Sequence, residues 1–359
     1  MTPAISVLMP NYNNASYLRE AVESVLKQTF HDFELVVVDD GSYDNSVELL
    51  QSFKDRRISI VLNGRNRGIA YSRNKAISVT CGKYVAWLDS DDVARADRLE
   101  KQFAFLEGND QYGLCCSNVA TIDEGSKPLT GSLWTKTELP LNWILLWTNP
   151  IAQSSVMVRR SCIAESEGPY LEEFSPAEDY DLWCRLGLQT KLYRLDETLL
   201  YYRILSSSAY HTNEGKALKG SLKRNAEYAE AIAEVKVPEF HQYLTTFSCI
   251  LPSYEWGIDF RACLDWLSAV EKGFGRRFAL EACERGAVAR DINARLFSLL
   301  REHHGLVRGR SNRVAIFEQR PLLFFGLTLL RFHKLVLRVF RRAISASEKM
   351  LARKRTQNT

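Results

Sequence analysis

In the first hundred residues, short apolar runs alternate with segments of helical period, and two of the runs end in aspartate clusters. Residues 5–9 read as a strand that is apolar almost throughout. Leu18, Ala21, Val22, Val25 and Leu26 then mark one face of a helix. Residues 34–38 form a second strand, closed by the turn Asp39-Asp40-Gly41-Ser42 and followed by a helix carrying Val47, Leu50 and Phe53. Residues 58–62 are a third strand, 69–79 a further helix, and 84–88 a fourth strand running into Asp89-Ser90-Asp91-Asp92. Strands of this kind, separated by helices, imply a largely parallel sheet covered on both faces. Ligands of such sheets sit beyond the carboxyl ends of the strands, where both acidic clusters fall. The expected fold class is α/β: a Rossmann-like, mostly parallel sheet flanked by helices.

Past Gly113 the pattern loosens. Strand candidates lie at 114–121 and 154–158, and a helix begins near Glu178-Asp179 with Leu182 and Leu186 on its inner face. From Arg203 the period is helical, over 216–235, 260–272 and 277–299, so the C-terminal region is expected to be mostly helical. A chain of 359 residues that is 46% apolar and 25% charged has the material for a sizeable core. The division expected is a catalytic domain at 1–205, a helical region of unassigned role at 206–319, and a basic tail at 320–359.

The net charge of +4 is uneven. Residues 320–355 hold ten Lys or Arg against the single acid Glu348, so this stretch carries +9 and the rest of the chain −5. Arg331, Lys334, Arg338, Arg341 and Arg342 recur at helical spacing opposite Phe332, Val336, Val339, Phe340 and Ala343. The pattern fits an interfacial helix on an anionic membrane surface, or a C-terminal helix packed on the body with a solvated basic face. Nothing in the body indicates nucleic acid as a partner. The eight cysteines show no CxxC pair and no zinc spacing, which reads as reduced thiols and a cytosolic protein. The N-terminus lacks the form of a signal peptide, and no apolar run reaches the roughly 20 residues that span a bilayer. The expected location is the cytoplasm, with peripheral attachment to the inner face of the cell membrane if the tail binds there.

Five segments can carry chemistry. Asp89 and Asp91, two apart at a strand end, are hard oxygen ligands suited to Mg²⁺ or Mn²⁺ shared with substrate phosphates. The bland alternative is an acidic cap on the helix that carries Leu99 and Phe103. Asp39-Asp40-Gly41-Ser42 and Pro10-Asn11-Tyr12-Asn13 end two other strands on that edge, and Tyr12 offers a ring that can stack on a base. Arg73-Asn74 adds cationic and amide donors. Glu178-Asp179-Tyr180-Asp181-Leu182-Trp183 puts carboxylates at a helix start, where capping is again the alternative and Trp183 reads as core.

As a set, PNYNNASYLREAVESVLKQTFHDFELVVVDDGSYDNS, NRGIAYSRNKAI, GKYVAWLDSDD and AEDYDLW resemble the family 2 inverting glycosyltransferases of GT-A fold, of the bacterial polysaccharide-biosynthesis type. The likeness covers about residues 4–203. It implies that Pro10, Tyr12 and Asp40 form a nucleobase pocket, that Arg73 contacts the donor, and that Asp89 lies beside the ribose. It also implies that Asp91 holds a divalent metal cofactor, Mn²⁺ or Mg²⁺, and that Asp179 is the general base. Glu178 and Asp181 are the neighbouring alternatives for that base. Tyr202-Arg203 resembles an element that closes over the site, although the histidine that follows it in many members is replaced here by Ile204-Leu205-Ser206. The implied reaction moves a sugar from a nucleoside-diphosphate donor, a UDP-sugar by preference, to a glycan or lipid-linked glycan hydroxyl. A non-catalytic sugar-nucleotide binder and a dinucleotide oxidoreductase are the competing readings. The second lacks a GxGxxG after the first strand.

Overall fold

The apolar runs become the centre of one sheet. The computed structural model describes residues 2–132, 137–163, 168–205, 214–238 and 260–302. The expected basic tail at 320–359 lies outside the described residues. β1 (Ile5–Asn11), β2 (Phe33–Asp39), β3 (Ile58–Leu62) and β4 (Tyr84–Trp87) pair in parallel, in the order β3-β2-β1-β4. Beyond β4 the sheet continues through β8 (Met157–Arg159), β6 (Tyr112–Ile122), β9 (Lys191–Arg203) and β5 (Val93–Ala94), with β7 (Pro128–Ser132) off β6. β8 runs antiparallel to both its neighbours, while β6 and β9 are parallel to each other. The sheet is therefore parallel in its first half and mixed in its second.

Period-two alternation sorts the strand side chains into two layers. Ile5, Val7 and Met9 join Leu35, Val37 and Ala86 against α1 (Ala15–Leu26), α2 (Ser46–Ser52) and α4 (Arg98–Glu107). Leu8, Val36, Val38, Val85 and Trp87 face the opposite layer, with α3 (Ile69–Ser78), α5 (Leu141–Ile144) and α6 (Glu178–Gly187). That second layer runs on without a break into α7 (Glu214–Ala233), α8 (Phe260–Arg277) and α9 (Ala282–Glu302), through Tyr228, Leu264, Phe274 and Ile292.

Several departures from the expected elements have plain causes. Of residues 154–158 only the end is strand, because Gln153–Ser155 form a 3-10 turn before β8. β9 alternates weakly along its length, so its thirteen residues carry no strong period-two signal. α9 starts at Ala282, after a break that follows Phe278. Trp183 is fully buried and meets Trp87 edge-on, with ring centroids 6.0 Å apart, as core. Trp183→Ala should lower unfolding stability by about 3–5 kcal/mol, the usual cost of emptying a large aromatic site. Denaturant titration measures that loss, and Trp183→Phe should recover most of it.

Candidate active site

Parallel register brings the strand ends to one edge. Asn11 stands opposite Asp39 across β1 and β2, and Leu8 opposite Trp87 across β1 and β4. The chain leaves the sheet at Tyr12, Asp40 and Asp89 side by side. The sequence clusters at the first, second and fourth strands thus form one rim, as the parallel reading requires.

At β2 the two aspartates do different work. Asp39 accepts hydrogen bonds from the Asn11 amide at 2.8 Å, the Ser42 hydroxyl at 2.6 Å and the backbone N–H of Ser42 at 2.9 Å, which closes the turn. Asp40, buried, accepts from Asn63 Nδ2 at 2.7 Å and from the backbone N–H groups of Arg67 at 2.9 Å and Gly68 at 2.8 Å. Its carboxylate therefore pins the loop before α3. Gly41 sits at φ +77, and a Cβ there would meet the Arg65 backbone at 2.5 Å, so the turn needs a glycine. Tyr12 is 44% exposed beside Tyr43, and Pro10 is buried within β1.

The fourth strand end carries the acidic turn. α4 starts at Arg98 with no side-chain cap, so the Asp89–Asp92 cluster does not serve as its N-cap. Burial, and then the neighbouring charge of Asp89, push the Asp91 carboxyl up to about 6. Asp92 is buried deeper and is also raised, by burial and then by Asp91. Arg203 holds this turn from behind. Its guanidinium donates to the carbonyl of Asp91 at 2.8 Å and to Glu20 at 2.7 Å, and its backbone N–H donates to Asp92 at 2.9 Å. Fully engaged, Arg203 clamps the turn at the inner side of the cleft.

At the start of α6 the three acids separate by their partners. Asp181 is buried between Arg185 at 2.6 Å and Arg224 at 2.5 Å. Glu178 is buried on Arg73, 2.7 Å away. Asp179 instead is held by neutral donors, Asn149 Nδ2 at 3.1 Å and the Tyr180 N–H at 2.6 Å. The N-cap position itself is Ala177, which offers no side-chain acceptor. Burial, and then the adjacent Glu178 charge, lift the Asp179 carboxyl to about 7. A carboxyl titrating there is suited to taking up a proton near neutral pH.

Arg73 ties the two acidic centres together. It donates to Glu178 at 2.7 Å and to Asp89 at 3.0 Å, and its guanidinium lies 5.5 Å from the Tyr170 ring centroid. Burial alone would lower its pKa, but the charges of Asp89 and Glu178 outweigh it and raise it. The arginine singled out from sequence as a donor contact sits between two carboxylates. Asn149, Ser154 and Asn63 were not legible in advance, since each acts through a partner distant in the chain.

A family model described as "Glycosyl transferase family 2" matches residues 6–164. A glycosyltransferase of uncharacterized role from Methanocaldococcus jannaschii is 35% identical over 214 residues, 58% of this chain and 73% of that one. The chain belongs to glycosyl transferase family 2. A second relative is the Escherichia coli UDP-Glc:alpha-D-GlcNAc-diphosphoundecaprenol beta-1,3-glucosyltransferase WfaP. It is 30% identical over 57% of this chain and 78% of its own length. Among solved structures, S. aureus TarS 1-349 in complex with UDP-GlcNAc superposes with a TM-score of 0.56 at 19% identity, over 92% of each chain. That likeness establishes the GT-A fold, and family 2 membership removes the oxidoreductase alternative.

Within this site, Arg73→Met strands a buried Glu178 carboxylate. It should lower stability by about 3–5 kcal/mol, the cost of breaking a buried ion pair from one side. Adding Glu178→Gln in the same chain should restore part of that loss in thermal and denaturant unfolding.

Proposed function

We propose that this family 2 glycosyltransferase transfers a sugar from a UDP-sugar to an acceptor hydroxyl with inversion at the anomeric carbon. The observation that carries the reading is Asp179. Among the described residues it is the acid at the start of α6 held by neutral donors rather than by an arginine, and burial lifts its carboxyl to about 7. Asp179 takes the proton of the acceptor hydroxyl as that oxygen attacks the anomeric carbon, and the nucleoside diphosphate leaves from the opposite face. A single displacement gives inversion and requires no covalent intermediate.

Tyr12, Pro10 and Asp40 border the nucleobase pocket in this reading, Asp89 lies at the ribose, and Arg73 holds Asp89 in place. Asp91 suits a divalent cation. Its carboxyl is half-buried and raised by a neighbouring carboxylate, a repulsion that a cation relieves. Mg²⁺ or Mn²⁺ held by Asp91 would supply charge neutralisation for the departing diphosphate.

UDP as the nucleotide is supported by the names of WfaP and of the TarS complex, and a lipid-linked glycan acceptor by the diphosphoundecaprenol substrate in the WfaP name. Surface polysaccharide assembly follows from that chemistry. Residues 1–205 are proposed as the catalytic unit and 206–319 as a helical region beside it. Among the described residues no helix is long and apolar enough to cross a membrane. A cytoplasmic enzyme whose 320–359 tail rests on the inner membrane surface completes the proposal.

Chelation should abolish turnover, and Mn²⁺ or Mg²⁺ should restore it. Asp91→Ala should lose metal-dependent UDP binding in calorimetry together with activity. Full turnover in excess EDTA would rule the cation out.

Asp179→Asn should cut kcat by about 10²–10⁴, the range for removal of a general base, with UDP affinity near wild type. The base acts ionised, so wild-type kcat should rise as pH increases through about 7 and level off above it. A collapse of UDP binding in Asp179→Asn, or a flat profile from pH 5 to 8, contradicts the assignment.

A further inference from the structure

We infer that Asn149 is a positioning residue for Asp179, and that residues 149–155 fix the base relative to the donor side of the cleft. The inference rests on the reading of Asp179 as the base.

The Asn149 amide has one orientation, because its two ends meet different partners. Its Oδ1 accepts the Ile151 N–H at 3.1 Å, so Nδ2 is the end that donates to Asp179 Oδ2, also at 3.1 Å. The Tyr180 N–H takes the other carboxylate oxygen, Oδ1, at 2.6 Å. One donor on each oxygen, one from α6 and one from the loop, sets the plane of the carboxylate. The helix donor alone would leave that plane free to swing.

The same short stretch reaches the donor side. The Ser154 hydroxyl accepts the Asp89 N–H at 2.9 Å, and Gln153 Nε2 donates to the Tyr170 hydroxyl at 2.6 Å. Tyr170 packs against the Arg73 guanidinium, which joins Asp89 to Glu178. The stretch is itself anchored: Ile151 and Ala152 are buried, Ser155 Oγ donates to the Ala152 carbonyl at 2.7 Å, and Gln102 donates to the Ser155 carbonyl at 2.8 Å. A shift of this loop would move the partners of Asp179 and Asp89 together.

Asn149 also acts on the charge of the base. A donor on the carboxylate favours the anion, against burial and the Glu178 charge. The charged and titratable groups facing Asp179 are Glu178 from its own helix, Arg73 from α3, Tyr170 from the segment before α6, and Tyr202 from β9. Of these charged groups only Arg73 opposes the rise, and the Tyr180 N–H and the Asn149 amide add to that opposition as neutral donors.

The test uses the full-length protein, with UDP as the binding probe and turnover followed from pH 5 to 9. Asn149→Ala should keep the melting temperature and UDP affinity near wild type, lower kcat about tenfold, and move the acid limb up by about one pH unit. Asn149→Asp sets a second carboxylate beside the base, so its limb should rise further and its activity should recover at pH 8.5. Asn149→Ser, which keeps a donor, should fall between Ala and wild type. If Asp179→Asn is inactive while Asn149→Ala has wild-type kcat and an unmoved limb, the inference is overturned and the base reading stands. If Asp179→Asn turns over at the wild-type rate, the base reading fails and the inference falls with it. Melting of all three Asn149 variants far below wild type would make Asn149 a fold residue, which also overturns the inference.

Discussion

The buried guanidinium of Arg73 is the constraint on which the cleft depends. It joins Asp89, at the end of β4, to Glu178, at the start of α6, two elements that share no strand pairing. A cation in the interior is tolerated only when its charge is met, and here two carboxylates and an aromatic face meet it. The side chains on either side are placed as a consequence. Asp91 follows Asp89 by two residues, and Asp179 follows Glu178 by one. The acids paired with Arg73 thus help to fix the positions of their neighbours in the chain.

The carboxylates of the site divide into two sets on this basis. Asp39, Asp40, Glu178 and Asp181 are spent on backbone N–H groups or on arginines, and they hold the architecture. Asp91, Asp92 and Asp179 keep less compensation, and burial raises all three. Asp92 accepts the Arg203 backbone N–H through one oxygen, and Asp179 accepts one neutral donor on each of its two. Acidic clusters in the sequence look uniform, and only their partners separate them.

Much of this was legible in advance. The strand–helix alternation through residue 88 predicts the parallel half of the sheet, because strands buried on both faces leave an unbroken apolar signature. The acidic turns at their ends locate the rim for the same reason. The second half of the sheet was less readable. β9 is long and only partly buried, β5 has two residues, and β8 is entered through a 3-10 turn, so none carries a clean period. Asn149, Ser154 and Asn63 leave no mark at all, because an amide or hydroxyl acquires its role only from a partner 30, 65 or 23 positions away. Arg73 was legible as a cation near the site but its two carboxylate partners were not, since a local pattern does not show what holds a charge.

Asp40 carries a consequence for the economics of binding. Its carboxylate gathers Asn63 and the backbone of Arg67 and Gly68, so the loop at that corner is ordered before any ligand arrives. Fixing a residue's backbone costs roughly 1–2 kcal/mol in conformational entropy. Here folding has already met that cost over several residues of the loop. A ligand entering this corner contributes its contact energy to affinity without deducting the ordering of the wall it touches.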